Sequence, residues 1–129
     1  MRLLLDTQVW LWMIAAPERL SAASRALLEE PRNELLFSAA SSWEIAVKAG
    51  LGKIRAPEPV DVWVPRVLAE SGVVPFPVLH SHTLAVAALR NHHRDPFDRL
   101  LVAQATIESV PILTSDPAIA RYDVEVLPA

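Results

Sequence analysis

The apolar residues of this chain fall into short unbroken runs separated by stretches of helical spacing. Leu3-Leu4-Leu5 has no polar alternation, which predicts a strand buried on both faces, and it ends at a carboxylate, Asp6. Val9, Trp10, Met13 and Ile14 follow at helical spacing until Pro17, so a helix is predicted directly after Asp6. Ser21 is placed to cap a second helix running to about Glu30, and Pro31-Arg32-Asn33 to turn the chain. Leu35-Leu36-Phe37 predicts a second buried strand. Ser41-Ser42-Trp43-Glu44 then has the S-x-x-E form of a capping box ahead of Ile45-Ala46-Val47-Lys48, in a helix that Gly50 stops.

Leu51 to Pro59 reads as a loop with basic edges, Lys53 and Arg55, and a fourth helix follows to about Glu70. Ser71-Gly72 breaks it. Val73-Val74 with Phe76 predicts a short strand, His82 to Leu89 a small Ala-rich helix, and Arg90 to Arg94 a polar loop. Asp95 as N-cap and Pro96 at the first helical position then start a helix through Ile107. Pro111 to Thr114 is a further strand, Ser115-Asp116-Pro117 turns into a short helix, and Val124-Glu125-Val126 supplies a last strand. Short apolar strands alternating with amphipathic helices predict an α/β fold, a mainly parallel sheet covered by helices on both faces.

Composition narrows this picture. At 129 residues the chain matches one compact domain spanning residues 1–129, with no repeat, linker or low-complexity tract to divide it. A content of 52% apolar and 21% charged residues excludes a mainly disordered chain. The 12 Lys and Arg against 15 Asp and Glu leave a net charge of −3, so any contact with nucleic acid has to rest on a local basic patch. The absence of cysteine excludes a disulfide framework and a thiolate metal site, and is compatible with a cytosolic setting. The opening imitates a signal peptide, but Asp6 interrupts its apolar stretch; the uncharged run from Thr7 to Pro17 is far shorter than the roughly 20 apolar residues of a membrane span. No membrane segment is expected.

Four acids occupy equivalent places in this pattern: Asp6 after the first strand, Glu44 in the first turn after the second, Asp98 in the first turn of the long helix, and Asp116 after the fourth strand. In a parallel sheet these places share one edge, where ligands bind. Carboxylates crowded there repel one another unless a cation intervenes or some take up a proton. A cluster offering only oxygen suits a hard divalent cation, Mg²⁺ or Mn²⁺. Helix capping, worth about 1 kcal/mol per residue, accounts for any one of Asp6, Glu44, Asp95, Asp98 and Asp116. It does not require that acids follow successive strands onto one edge, and that joint pattern carries the chemistry.

Four segments that hold these acids, LLLDTQVWLW, SAASSWEIAVKAGLGKI, HHRDPFDRLLVAQA and ILTSDPAIARYDVEV, resemble the PIN domains of VapC toxins from toxin–antitoxin operons. The third is the most specific, joining a cap, an acid and an apolar helix. The resemblance runs nearly end to end and implies a three-layer α/β/α PIN-like fold, Mg²⁺- or Mn²⁺-dependent endoribonuclease activity in the cytoplasm, neutralisation by a VapB-like antitoxin, and a homodimer. Position by position it makes Asp6, Glu44, Asp98 and Asp116 the metal-binding and catalytic acids. Ser115 or Thr114 becomes the hydroxyl near the site, and Asp95 remains a cap.

Arg90, His92, His93, Arg94 and Arg99 cluster beside Asp98, while Lys48, Lys53 and Arg55 follow Glu44; Arg99 and Lys48 are thereby candidates for contacting RNA phosphates. The two histidines read as part of a solvated loop and not as metal ligands. Trp10, Trp12, Trp43 and Trp63 read as core or interface anchors, and one of Trp10 and Trp12 is free to meet a partner because residues two apart cannot share a narrow helical stripe. Among rivals, a receiver-like phospho-acceptor domain lacks its lysine, since Ser115-Asp116-Pro117 stands where Lys-Pro is needed. A haloacid-dehalogenase-like phosphatase lacks the second acid after Asp6-Thr7-Gln8. A catalytically silent PIN-fold binding module is the remaining alternative.

Overall fold

The computed structural model describes all residues, Met1–Ala129. Five strands form one sheet: β1 (Arg2–Leu5), β2 (Glu34–Ser38), β3 (Val74–Phe76), β4 (Ile112–Thr114) and β5 (Val126–Pro128), in the order β3-β2-β1-β4-β5. Every pairing is parallel, with Leu3 opposite Leu35 and Leu5 opposite Leu113. The helices are α1 (Thr7–Ala15), α2 (Ala22–Glu29), α3 (Ala39–Gly50), α4 (Val60–Ser71), α5 (His80–Ala85) and α6 (Pro96–Glu108).

The unbroken apolar runs do what their pattern demands. Leu3, Leu5, Leu35, Phe37 and Leu113 pack on one face of the sheet with Val9 and Trp10 of α1 and Trp63, Val64, Val67 and Leu68 of α4. Leu4, Leu36 and Ile112 point to the opposite face, where Leu101, Val102 and Ala105 of α6 cover them. These are the three layers that the alternation predicts. Each edge strand carries a proline, Pro75 in β3 and Pro128 in β5, which withholds an N–H and discourages further strand addition.

Several boundaries differ from the sequence reading. The cap of α3 is Ser38, whose hydroxyl accepts from the Ala40 N–H at 3.0 Å, so the expected capping box at Ser41–Glu44 is not one. Ser41 is buried inside the helix, and Glu44 lies in its second turn, not its first. β5 begins at Val126, two residues later than the apolar pattern places the last strand. α5 starts two residues before His82 and ends at Ala85, passing into a 3₁₀ turn over Val86–Ala88. The segment after Asp116 holds a 3₁₀ turn, Ile119–Arg121. The start of α6 is as expected: Asp95 Oδ1 accepts from the N–H groups of Phe97 and Asp98 at 2.9 and 3.1 Å, and Pro96 opens the helix.

From β1 the chain first builds outward through β2 and β3, then returns to β1's other side for β4 and β5. The order therefore reverses between β1 and β4. The backbone diverges beyond the carboxyl ends of these two strands and leaves a crevice there.

Candidate functional site

Asp6 is the first residue beyond β1. It occupies the N-cap position of α1 but makes no capping bond. Its Oδ2 instead accepts from the Thr114 hydroxyl at the end of β4, 2.7 Å away. Thr114 Oγ1 also accepts the Asp116 N–H at 3.0 Å, which fixes the turn leaving β4. Behind Asp6, the Thr7 hydroxyl donates to buried Ser41 Oγ at 2.7 Å, tying α1 to α3 one turn before Glu44. Asp98 is the third residue of α6, and Asp116 Oδ1 accepts from the Ala118 N–H at 2.9 Å.

Asp6, Glu44, Asp98 and Asp116 all line one cavity of about 440 Å³, together with Asp95, Ser115, Lys48 and Lys53. Only Leu11 and Ile54 contribute apolar side chains to it. Local bonding to backbone N–H groups explains Asp95, the cap of α6, and Asp116, which holds the turn at Ala118. It does not explain Asp6, which caps nothing, or Glu44 in its second turn.

The electrostatic cost of this arrangement is visible in two carboxyls. Burial pushes the Asp6 carboxyl up, and Glu44 and Asp116 add to the effect while the Thr114 hydroxyl opposes it. Asp98 is pushed up to about 8, first by burial and then by Asp95, Asp6, Asp116 and Glu44. Lys48 Nζ stands 2.5 Å from Glu44 Oε2, and that bond raises the lysine above its ordinary value. Glu44 Oε1 is buried with no partner at all.

As the side chains stand, no three Asp, Glu or His groups surround one point as a finished ligand set. Lys48 and His93 occupy oxygens of Glu44 and Asp98. The donor set nevertheless fits a hard divalent cation: it offers only carboxylate and hydroxyl oxygens, one of them buried and unpartnered, in a cavity where five acids face two lysines.

The reading of His93 as part of a solvated loop needs correction. His93 is half-buried, with Nε2 at 3.3 Å from Asp98 Oδ2 and Nδ1 at 2.7 Å from the Tyr122 hydroxyl. His92 sets its ring edge-on to the same Tyr122 at 4.8 Å. Arg99 pairs with no acid and does not line the cavity. Its Nη1 donates to the carbonyl of Arg90 at 2.9 Å and to the Tyr122 hydroxyl at 3.0 Å, bracing the loop before α6. Position alone held one clue to His93: it lies two residues before the cap of α6, within reach of that helix's first turn. Tyr122 is distant in sequence and left none.

Among the tryptophans, Trp10 is fully buried at 4.5 Å from the Phe37 ring and 5.7 Å from that of Trp63. Trp12 is half-buried against the same core. Trp43 is 54% exposed, its ring centroid 4.8 Å from that of Phe97 in an edge-to-face arrangement.

A parallel sheet between two helical layers, with carboxylates from four segments gathered at its switch point, defines an α/β protein built around an oxygen-rich acidic centre. The chain belongs to the PIN-domain family, whose model matches residues 3–125. Within that family it is related to the VapC ribonucleases. It is 35% identical to ribonuclease VapC22 of Mycobacterium tuberculosis over 114 residues, 88% of this chain and 85% of that one. It is 45% identical to ribonuclease VapC16 of the same organism over 60 residues, a match that covers 46% of this chain and 43% of VapC16. The crystal structure of VapBC2 from Rickettsia felis, bound to a promoter DNA fragment, contains a chain with the same fold. The TM-score is 0.73 at 16% identity, covering 99% of this chain and 98% of that one. No helix here is long and apolar enough to cross a membrane.

Proposed function

We propose that this protein is a metal-dependent endoribonuclease, the toxin of a type II toxin–antitoxin pair, that hydrolyses RNA phosphodiester bonds in the cytoplasm. The observation that carries the reading is the convergence of Asp6, Glu44, Asp98 and Asp116 on one solvent-open cavity. Kinship with the VapC ribonucleases supports the choice of RNA as substrate.

Asp6 and Asp98 are the residues that would hold Mg²⁺ or Mn²⁺, with Glu44 and Asp116 completing the oxygen set. When bound, such an ion lowers the pKa of a coordinated water and offsets charge on the phosphoryl oxygen. The chain's own residues do the rest. Thr114 holds the Asp6 carboxylate in place through its 2.7 Å bond. Ser115 and Lys53 line the cavity, and Lys53 is placed to meet a phosphate. Lys48 pairs with Glu44 and offsets its charge. An ionised acid of the set is available to take the proton of the attacking water.

The partner is a VapB-like antitoxin, a reading supported by the VapBC2 complex that contains a chain of this fold, and the free toxin is a homodimer. The test is cleavage of a cellular RNA pool by antitoxin-free protein in Mg²⁺, Mn²⁺ and EDTA, beside Asp98→Asn prepared identically. Discrete fragments that require metal and disappear in the variant are expected. Full metal-dependent cleavage by Asp98→Asn would overturn the assignment, and absence of cleavage and of cation binding by folded wild type would favour the silent binding module.

A further inference from the structure

Three side chains that do not line the acidic cavity form a hydrogen-bond chain ending on Asp98. With a cation bound, Asp98 is an ionised carboxylate with only lone pairs to offer, so in that state the proton across the 3.3 Å contact with its Oδ2 belongs to His93 Nε2. A neutral imidazole with its proton on Nε2 accepts at Nδ1, and the Tyr122 hydroxyl is 2.7 Å from that atom. The tyrosine oxygen in turn lies 3.0 Å from Arg99 Nη1, which can only donate. All three links therefore run one way, from Arg99 through Tyr122 and His93 to the carboxylate.

The chain is also rigidly seated. Tyr122 is buried against the α6 side of the sheet. Arg99 Nη1 bonds the Arg90 carbonyl as well, holding the loop that carries His93. Asp98 lines the cavity, and no protein donor meets its Oδ1, so the histidine engages one oxygen and leaves the other without a protein partner.

We infer that His93 and Tyr122 are positioning residues for the cation site: Tyr122 sets the imidazole tautomer, and His93 orients the Asp98 carboxylate so that its remaining oxygen is presented to a divalent ion. This deepens the proposed function and rests on its assignment of Asp98 as a ligand. Hydrogen-bonded partners of metal-ligating carboxylates stiffen the site and raise affinity without touching the ion.

The experiment is Mn²⁺ binding by titration calorimetry to the full chain, with RNA cleavage measured in parallel, for wild type, Asp98→Asn, His93→Ala, His93→Gln and Tyr122→Phe. Removing the imidazole should weaken Mn²⁺ about tenfold or more. His93→Gln retains a donor for Asp98 and should recover most of that loss, which a purely structural defect would not do. Tyr122→Phe should weaken binding by less, and ¹⁵N shifts of the Mg²⁺-loaded protein should show His93 protonated at Nε2 in wild type and a tautomer mixture in Tyr122→Phe. Wild-type affinity in both His93→Ala and Tyr122→Phe, with binding lost in Asp98→Asn, would refute the positioning role and leave the site intact. A His93→Gln no better than His93→Ala, or Nδ1 protonation in loaded wild type, would also refute it. Unchanged binding in Asp98→Asn would overturn the metal reading itself.

Discussion

Raising the pH of the metal-free protein should destabilise it, through Asp98. This carboxyl moves from an ordinary 3.8 to about 8 in the fold, with burial the main cause and Asp95, Asp6, Asp116 and Glu44 adding repulsion. Between those two values the folded chain keeps a proton that the unfolded chain has released. Its contribution to stability therefore falls as pH rises through that window and levels off above about 8. At 1.36 kcal/mol per pKa unit the full shift corresponds to about 6 kcal/mol. The part of it that lies above pH 5, reduced further by water and salt in the open cavity, is expected to be about 2 kcal/mol. For a chain of this length that amounts to roughly 7 °C in Tm. Asp6 is shifted in the same direction and reinforces the trend. Lys48, raised from 10.5, keeps its contribution constant across the window. Scanning calorimetry in EDTA at several values between about pH 5 and 8.5 should show wild type losing Tm against Asp98→Asn, whose amide does not titrate. Saturating Mg²⁺ should restore the loss at the alkaline end, since a ligand of the folded state stabilises it. Parallel curves for the two proteins in EDTA would refute the reasoning.

Two further outcomes follow from contacts around the site and the core. Thr114→Val removes the donor to Asp6 Oδ2 and should cost roughly 1–3 kcal/mol at neutral pH, measured by urea unfolding, while raising the Asp6 carboxyl further. Gly72 ends α4 at φ +70 with open space around the position of an added Cβ, so Gly72→Ala should destabilise by about 1 kcal/mol through backbone strain alone, with its denaturation slope unchanged.

How much of this was legible in the chain depends on the range of the interaction that decides it. The strands were written in Leu3-Leu4-Leu5, Leu35-Leu36-Phe37 and Ile112-Leu113, because a strand buried on both faces must be apolar throughout. The helix at Pro96 was written in its local cap. Asp6, Asp98 and Asp116 were legible because each follows a strand or opens a helix, and a parallel sheet carries such places to one edge; Glu44 sits a turn deeper in α3 than its pattern placed it and still lines the cavity. The Ser41–Glu44 motif misled: Ser38, three residues earlier, caps α3, and Ser41 is taken by Thr7 across the fold.

The sequence by itself determined the layers, the edge on which chemistry gathers and the carboxylates placed there, since all three follow from local pattern plus the chirality and connectivity of parallel strands. Only the tertiary structure decided which oxygens are held and by what. Thr114 reaches Asp6 across 108 residues of chain, and Tyr122 meets His93 across 29. A hydrogen bond depends on distances held to within tenths of an ångström between groups that no local pattern relates, and those distances exist only once the sheet has brought its strand ends together.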